Sequence, residues 1–455
     1  MISSIRFYLP TLSSRALRCI LVTASSAFLG LTAACHGLLD VSDPSRIRDQ
    51  DVANATGANA RRAAAVVTFM NSFGSVLLDV AYFTDEATYD TDVNNPADFS
   101  RSLDQRNTGP YLNRSGNPTN DPHLGTLDNY LAHSSLALDA IRRYSQESAR
   151  GDYLAQLFAL RGVTILQMAE DLCPGFPIND VAGDNKPLLS GPFTTDSATT
   201  YAIAQLDSAL ADAVDSTSYK YMGHLVKARA LLDLRQYDAA AVEAAFVPTN
   251  FEYRSDPSLG NPFQSYQSGV SQYGGQPALA DHEGGNGLGF LSEHDTVRVP
   301  YGYSGQRYNF PSDSLFVSLK YLSSLPNASS YVVASGVEAR LIESEVALHA
   351  NDGRWLTILN DLRTPVGLGL LTDPGTAAAR VDLVYHERAF WLYLTGRRLG
   401  DLRRLMRNYG RSAESVFPTG VYILGGNYGH ETAIGFNQTA ESLYNNKITA
   451  GCTSL

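Results

Sequence analysis

The stretch LVKARALLDLRQYDAAAVEAAFVP, residues 225–248, decides the fold class of this chain. Small alanines, Ala228, Ala240 and Ala244, recur at positions where two antiparallel helices would approach each other. A polar turn separates the two halves, and Pro248 ends the unit. This pattern is typical of a tetratricopeptide-type helix pair, whose small residues let neighbouring helices pack closely. We therefore expect a body that is built from helix pairs.

Helical spacing of apolar residues extends well beyond this pair, over about residues 54–250 and again over about 337–406. In the second region, a pair is expected from Val337 to Leu362, with its turn at residues 351–353. A long helix is expected from Val381 to Met406, with a break or bend near Gly396. The sequence predicts a mostly α fold of tetratricopeptide-like helix pairs.

Two long insertions interrupt the helical pattern. Residues 85–124 contain several turn-forming pairs with proline, and residues 251–311 are rich in Gly, Ser, Gln, Tyr and Pro. Loops of this length in a compact domain are either functional or disordered, and their aromatic content favours a function. We expect ordered loops here, with a short hairpin in the second insertion.

Residues 1–34 have the three parts of an export signal: arginines, then an apolar stretch from Cys19 to Leu31, then small residues up to Ala34. The ending LTAAC resembles a lipobox, in which the final cysteine, here Cys35, becomes acylated. The alternative is an ordinary cleavable signal in which this thiol is incidental. His36 follows the cysteine, so the aspartate that commonly signals inner-membrane retention is absent. We expect a lipid-anchored protein of the outer membrane that is exposed at the cell surface.

Cys173 and Cys452 are the cysteines that remain after Cys19 is removed and Cys35 is acylated. In an oxidising compartment they are expected to form a disulfide that ties the C-terminal tail to the body. Two buried free thiols are the alternative.

The charge balance argues against nucleic-acid partners. The formal net charge is -11, and removal of the first 34 residues, which carry three arginines and no acid, leaves 32 basic against 46 acidic side chains, or -14. An acidic surface without a basic patch repels a phosphate backbone. Motifs for zinc hydrolases, serine hydrolases and phosphate-binding loops do not occur either. We therefore expect no catalytic activity, no metal and no cofactor.

The densest group of charges lies near the C-terminus. Its members are Glu387, Arg388, Arg398, Asp401 and Arg403. Arg398 and Asp401 stand three residues apart, so on a helix they share a face and can pair. Such a dense group of charged side chains is also compatible with an active site. We favour a buried structural network because no nucleophile or metal-ligand set accompanies these charges.

With these residues, the sequence resembles the SusD/RagB family of outer-membrane nutrient-uptake lipoproteins. Four motifs in order carry the resemblance: Cys35-His-Gly-Leu-Leu-Asp-Val41 after the lipobox, Gly175-Phe-Pro177, Asn360-x-Leu362-Arg363, and Glu387-Arg388 followed by Gly396-x-Arg398-x-x-Asp401-Leu402-Arg403. The resemblance implies a single SusD-like helical domain over residues 35–455. It also implies a loop-rich ligand face, formed here by about 85–124 and 251–311, and a TonB-dependent (SusC-like) transporter as the partner.

The ligands that the resemblance implies are glycans or, in the RagB branch, peptides. Glycan capture uses aromatic rings that stack on sugar C–H faces, together with polar groups that bind hydroxyls. The candidate ligand-binding residues in the loops are Tyr82, Asp85, Glu86, Tyr89, Tyr266, Tyr273, Tyr301, Tyr303 and Tyr308. Each tyrosine has the alternative role of a loop anchor, and Trp355 and Trp391 are expected in the core. Two other functions stay open, an exported glycoside hydrolase on a helical scaffold and a structural repeat lipoprotein.

Overall fold

The structure, a computed structural model, describes residues 53–88, 122–181, 186–256, 278–307, 314–320, 330–421 and 434–436. Its helices are α1 (Ala55–Phe83), α2 (Pro122–Tyr144), α3 (Glu147–Asp171), α4 (Thr195–Asp212), α5 (Thr217–Asp233), α6 (Tyr237–Ala245), α7 (Gly336–His349), α8 (Arg354–Arg363), α9 (Ala377–Trp391), α10 (Arg398–Tyr409) and α11 (Ala413–Val416). Its strands are β1 (Ala87–Thr88), β2 (Asn179–Val181), β3 (Pro187–Leu189), β4 (Glu252–Arg254), β5 (Ala278–Leu279), β6 (Tyr301–Arg307), β7 (Ser314–Ser318) and β8 (Val332–Ser335). The predicted signal and Cys35 lie outside the described residues.

Helix α3 lies at the centre of the fold and contacts α1, α2, α4, α5 and α10. Every residue from Leu154 to Asp171 is buried, so this helix has no solvent-facing side on which to place polar groups. Arg161 in its middle is therefore held by the backbone oxygen of Leu131 at 2.9 Å, by Ser134 at 2.8 Å and by Asp180 at 2.6 Å. Gly162 lies so close to α4 that a Cβ atom would come within 2.5 Å of Leu206.

The predicted helix pairs are confirmed. Helices α5 and α6 form the pair at residues 225–248, and Ala228, Ala240 and Ala244 are all fully buried between helices. The second pair consists of α7 and α8, with its turn at Asn351, whose φ is 53°. Helix α6 also packs on α7, so the two pairs form one continuous stack.

The predicted helix from Val381 to Met406 is two helices. Helix α9 ends at Trp391 and α10 begins at Arg398, with Leu394 at φ 55° and Gly396 at φ 74° between them. Of the break or bend predicted near Gly396, the structure has the break. Two consecutive helices with left-handed residues between them can meet at an angle that one continuous helix does not permit.

The two insertions form more β-structure than the sequence predicts. A four-stranded antiparallel sheet has the order β1-β5-β7-β6, in which β1 comes from the first insertion and β5 and β6 come from the second. The hairpin of β6 and β7 is the expected one, although β7 lies beyond the predicted boundary at residue 311. Described parts of the two insertions therefore converge on one sheet.

Helix α1 is the one described helix that is long and apolar enough to cross a membrane, by length and composition alone. In its apolar window, 61% of the residues are buried within the fold. Phe69, Phe73 and Leu77 along it are part of the main core. Burial against other helices explains the apolar composition of α1.

The start of α7 provides a sharp test of the helix stack. A Cβ atom on Gly336 would lie 1.9 Å from the backbone oxygen of Pro248, and the Gly336 N–H donates to Phe251 O at 2.8 Å. Backbone atoms cannot yield as a side chain can, so we expect Gly336→Ala to lower the free energy of unfolding by about 3 kcal/mol. Urea unfolding checks this value.

Gly353→Ala is the matched control. A Cβ atom at Gly353 would have no neighbour within 4 Å, and φ at this residue is -56°. Its stability is expected to stay within about 0.5 kcal/mol of the wild type. Equal stability of the two variants would contradict the close contact between α7 and the end of α6.

Candidate ligand-binding surface and its buried support

The turn between α9 and α10 is held by carboxylates and arginines from distant parts of the chain. Arg398 makes a two-pronged ion pair with Asp85, with distances of 2.6 and 2.7 Å. Asp401 pairs instead with Arg388, at 2.9 and 2.8 Å, and with Arg404 at 2.6 Å. The spacing allows Arg398 and Asp401 to pair with each other, but Asp85 approaches Arg398 from the end of α1 and takes that place.

The predicted structural network around Glu387, Arg388, Arg398, Asp401 and Arg403 is buried, as expected. Arg403 binds the backbone oxygen of Leu172 at 3.0 Å, which satisfies a free carbonyl just beyond the C-terminus of α3. Burial lowers the pKa of Arg403 to about 10. In a further part of the network, Arg229 bridges Glu170 and Glu338 at 3.0 Å each, which links α3, α5 and α7.

Glu86 and Lys320 hold adjacent residues of the same turn. The Leu394 N–H donates to Glu86 Oε1 at 2.9 Å, and Lys320 Nζ donates to the backbone oxygen of Tyr393. Burial raises the pKa of Glu86 to about 8, against the opposing effects of Leu394, Arg398 and Lys320. Burial also lowers the pKa of Lys320 to about 8. Both groups thus have a weakened preference for the charged form near neutral pH.

Three of the candidate ligand-binding residues are placed in the interior. Tyr82 is 7% exposed, Asp85 1% and Glu86 0%. The prediction that they contact a ligand is wrong for this structure, since Asp85 is occupied by Arg398 and Glu86 by the α9–α10 turn. The carboxyl groups of Asp85 and Glu86 hold the α9–α10 turn instead.

Glu387 fixes the segment that precedes β6. It accepts from Arg298 at 2.8 Å and from Arg363 at 2.6 Å. Burial would raise the pKa of Glu387, but the hydrogen bond with His386 and the two arginine charges outweigh it and lower the pKa to about 2. Arg298 also lies over the ring of Phe390, 5.0 Å from its centroid. Residues 278–300 are therefore anchored firmly to α9.

The hairpin that follows this segment carries three aromatic rings on one face, which we call the aromatic platform: Tyr301, Tyr303 and Phe316. Tyr303 lies opposite Phe316 in the strand register, with ring centroids 5.9 Å apart, and Tyr301 packs edge-on against Phe316 at 5.6 Å. Tyr303 is 54% exposed. On the other face, Val317 is buried at 5%. The platform therefore offers the ring of Tyr303 to solvent, whereas Tyr301 and Phe316 are half-buried and Tyr301 packs against the core.

Polar groups lie beside the platform. The exposed His294 has its Nδ1 atom 3.0 Å from the Tyr301 hydroxyl. Its neighbour Glu293 pairs with His386 at 2.9 Å. Burial would lower the pKa of His386, but the hydrogen bonds and charges of Glu387 and Glu293 outweigh it and raise the pKa. Rings with adjacent hydrogen-bonding groups are the combination that binds sugars.

The sequence missed Phe316 and His294 as members of this surface. Phe316 follows the predicted insertion, and only the pairing of β6 with β7 brings it to Tyr303. His294 lacks any motif. The apolar run Leu315-Phe316-Val317 within SLFVS, residues 314–318, was the available signal for a strand.

The other predicted site residues lie outside the described residues: Tyr89, Tyr266, Tyr273, Tyr308, Cys35 and Cys452. Cys173 is disulfide-bonded, and its N–H donates to Phe436 O at 3.0 Å, so a C-terminal segment lies beside it. The pairing with Cys452 stays a prediction. Within the described ranges, no group of three or more His, Cys, Asp or Glu side chains is arranged to hold a metal ion.

Comparison with known proteins rests on structure, because no protein-family model and no curated protein match the sequence. A SusD-like carbohydrate binding protein from Bacteroides vulgatus superposes with a TM-score of 0.57 at 15% identity, over 77% of this chain and 83% of that one. The chain has the SusD-like fold.

Two further structures agree. A putative sugar binding protein from Bacteroides vulgatus has a TM-score of 0.59 at 13% identity, over 84% of this chain and 95% of that chain. A laminarin binding SusD-like protein has a TM-score of 0.50 at 16% identity, over 79% and 95%. The SusD-like fold thus accounts for most of the length of both chains in each comparison.

The buried carboxyl of Glu86 predicts a specific dependence of stability on pH. Its pKa is about 8 in the folded protein and 4.5 ordinarily, so the folded state binds the proton more tightly. The stabilisation from Glu86 is full below pH 4.5 and is lost as the pH rises through 8. Between pH 5 and 8, the free energy of unfolding of the wild type should therefore fall by more than about 1 kcal/mol relative to that of Glu86→Gln.

Urea unfolding of both proteins at several pH values measures this difference. Burial also raises the pKa of Glu170 to about 8. Such carboxyls are present in both proteins, so their contributions to the pH dependence cancel in the difference. A difference that does not change with pH would show that Glu86 is not a buried, protonated group.

Proposed function

We propose that this protein is a member of the SusD/RagB family that captures a glycan on the aromatic platform and performs no bond chemistry. The observation that carries the proposal is the exposed ring of Tyr303, which stands with Tyr301 and Phe316 on a hairpin of a SusD-like fold. Several proteins with this fold are described as carbohydrate or sugar binding, and one as laminarin binding.

The chemistry of the platform suits a sugar. Tyrosine and phenylalanine rings present a face that packs on the C–H groups of a pyranose. These side chains have few rotatable bonds, so binding costs little conformational entropy. The hydroxyl of Tyr301 and the ring of His294 lie within 3.0 Å of each other and supply hydrogen bonds at the edge of the rings. A ligand that stacks on Tyr303 would find these polar groups beside it.

Delivery to a TonB-dependent transporter and anchorage at the outer membrane through Cys35 belong to the same proposal. They are supported by the lipobox-like LTAAC and by the four family motifs in the sequence. The capture protein would hold its cargo beside the transporter, and lipid chains on Cys35 would keep it at the membrane, since two or more acyl chains give stable anchoring.

Removal of the exposed ring tests glycan capture. Tyr303→Ala is expected to weaken binding about tenfold, because a stacked ring contributes on the order of 1–2 kcal/mol. The measurement is binding to an array of neutral and acidic oligosaccharides that includes laminarin fragments, followed by calorimetry on the strongest neutral hit.

Tyr144→Ala is the matched control, since Tyr144 is 38% exposed at the end of α2, far in sequence from the hairpin. It should bind as the wild type does. Wild-type binding by Tyr303→Ala, or turnover of the oligosaccharide by purified wild-type protein, would overturn the proposed function.

The lipid anchor has a separate test. In a bacterial host that processes lipoproteins, labelled palmitate should appear on the wild type and on Cys173→Ser, but not on Cys35→Ser. Gel autoradiography of the purified proteins gives the result. Labelling of Cys35→Ser at the wild-type level would contradict acylation of Cys35.

A further inference from the structure

His294 has a strained backbone directly beside the aromatic platform. Its φ is 55°, in the left-handed region that non-glycine residues rarely adopt, and its side chain is exposed. Such a conformation costs on the order of 1 kcal/mol or more, and it persists only where surrounding contacts impose it. The His294 N–H donates to Leu291 O at 3.1 Å, and the His294 carbonyl oxygen accepts from the Thr296 N–H at 2.9 Å. The other contacts that impose the conformation belong to neighbouring residues.

The turn before His294 is fixed by Asp281. Its Oδ1 atom accepts from the backbone N–H of Ser292 at 3.0 Å and from that of Leu291 at 3.2 Å. The Glu293 N–H donates to Gly289 O at 3.0 Å. These bonds determine the direction in which the chain enters His294.

The residues on either side of His294 are anchored by ion pairs. Glu293 binds His386 at 2.9 Å, and Asp295 binds Arg298, which in turn binds Glu387 at 2.8 Å. His386 and Glu387 are both on α9. The fold thus imposes the backbone of His294 through its own turn hydrogen bonds and through its neighbours, and the imidazole lies outside the core.

The imidazole points to the platform. Its Nδ1 atom lies 3.0 Å from the Tyr301 hydroxyl, and the described part of the chain gives the ring no second hydrogen bond. Nε2 is therefore available to a ligand. It is a donor when the Tyr301 hydroxyl donates to Nδ1, and an acceptor when Nδ1–H donates to that hydroxyl.

We propose that His294 is the specificity-determining residue of the platform, and that its Nε2 atom hydrogen-bonds a hydroxyl of the sugar ring stacked on Tyr303. This inference rests on the proposed function. A sugar hydroxyl both donates and accepts, so it matches either form of the imidazole. The 32 basic and 46 acidic side chains of residues 35–455 give a net charge of -14, which disfavours an anionic ligand, so the ligand class is a neutral glycan.

The test compares His294→Gly with Tyr303→Ala on the same oligosaccharide array. Glycine removes the imidazole and relieves the left-handed strain, so the thermal midpoint should not fall. Binding to the strongest neutral oligosaccharide should weaken about tenfold, the effect of one lost hydrogen bond in a desolvated site. The loss should differ between oligosaccharides, whereas Tyr303→Ala should weaken all of them alike.

His294→Asn is the second variant, because asparagine also tolerates the left-handed region while its amide is too short to reach the position of Nε2. It should lose binding as His294→Gly does. If Tyr303→Ala loses binding and both His294 variants bind as the wild type, the role of His294 is disproved and the proposed function stands. Loss of binding that accompanies a lower thermal midpoint in both variants would assign His294 a structural role. If Tyr303→Ala retains binding, the proposed function itself fails.

Discussion

The ion pair between Arg398 and Asp85 is the interaction on which the rest of the structure depends. It joins residues 313 positions apart, and Asp85 Oδ2 also accepts from the Leu288 N–H at 2.9 Å. One carboxylate therefore connects the end of α1, the start of α10 and the segment that leads to the hairpin. Both partners are buried, so loss of either would leave a charge without compensation, at a cost of about 3–5 kcal/mol.

Buried ion pairs also fix the base of the platform. Glu387 binds Arg298 and Arg363, so the segment before β6 and the end of α8 are both fixed on α9. An apolar core alone tolerates several packing arrangements of similar energy. Buried arginine–carboxylate pairs tolerate far fewer, because each displaced partner leaves an unpaired charge. The rings of the platform consequently stand on a rigid base, which reduces the entropy that binding must remove.

The sequence predicted what is encoded locally. Ala228, Ala240 and Ala244 predict close contacts between helices because their side chains are small. Gly396 predicts a break because glycine readily adopts the left-handed conformation found there. Asp85 and Glu86 show the limit of this reasoning. An acidic pair in a tyrosine-rich loop has the same local pattern whether it faces a ligand or an arginine 313 residues away. Only the tertiary contact decides between the two, and here it places both carboxylates inside.

Only part of the platform could be predicted, because the rest depends on tertiary contacts. Tyr301 and Tyr303 stand out by composition, but Phe316 joins them through strand register and His294 through a left-handed turn, neither of which a single sequence reveals. The turn is informative because its left-handed residue carries an exposed imidazole. Asp281, Glu293 and Asp295 hold the backbone, while the imidazole contributes no packing to the core. Strain that several independent contacts maintain beside the exposed ring of Tyr303 is the observation from which the proposed role of His294 follows.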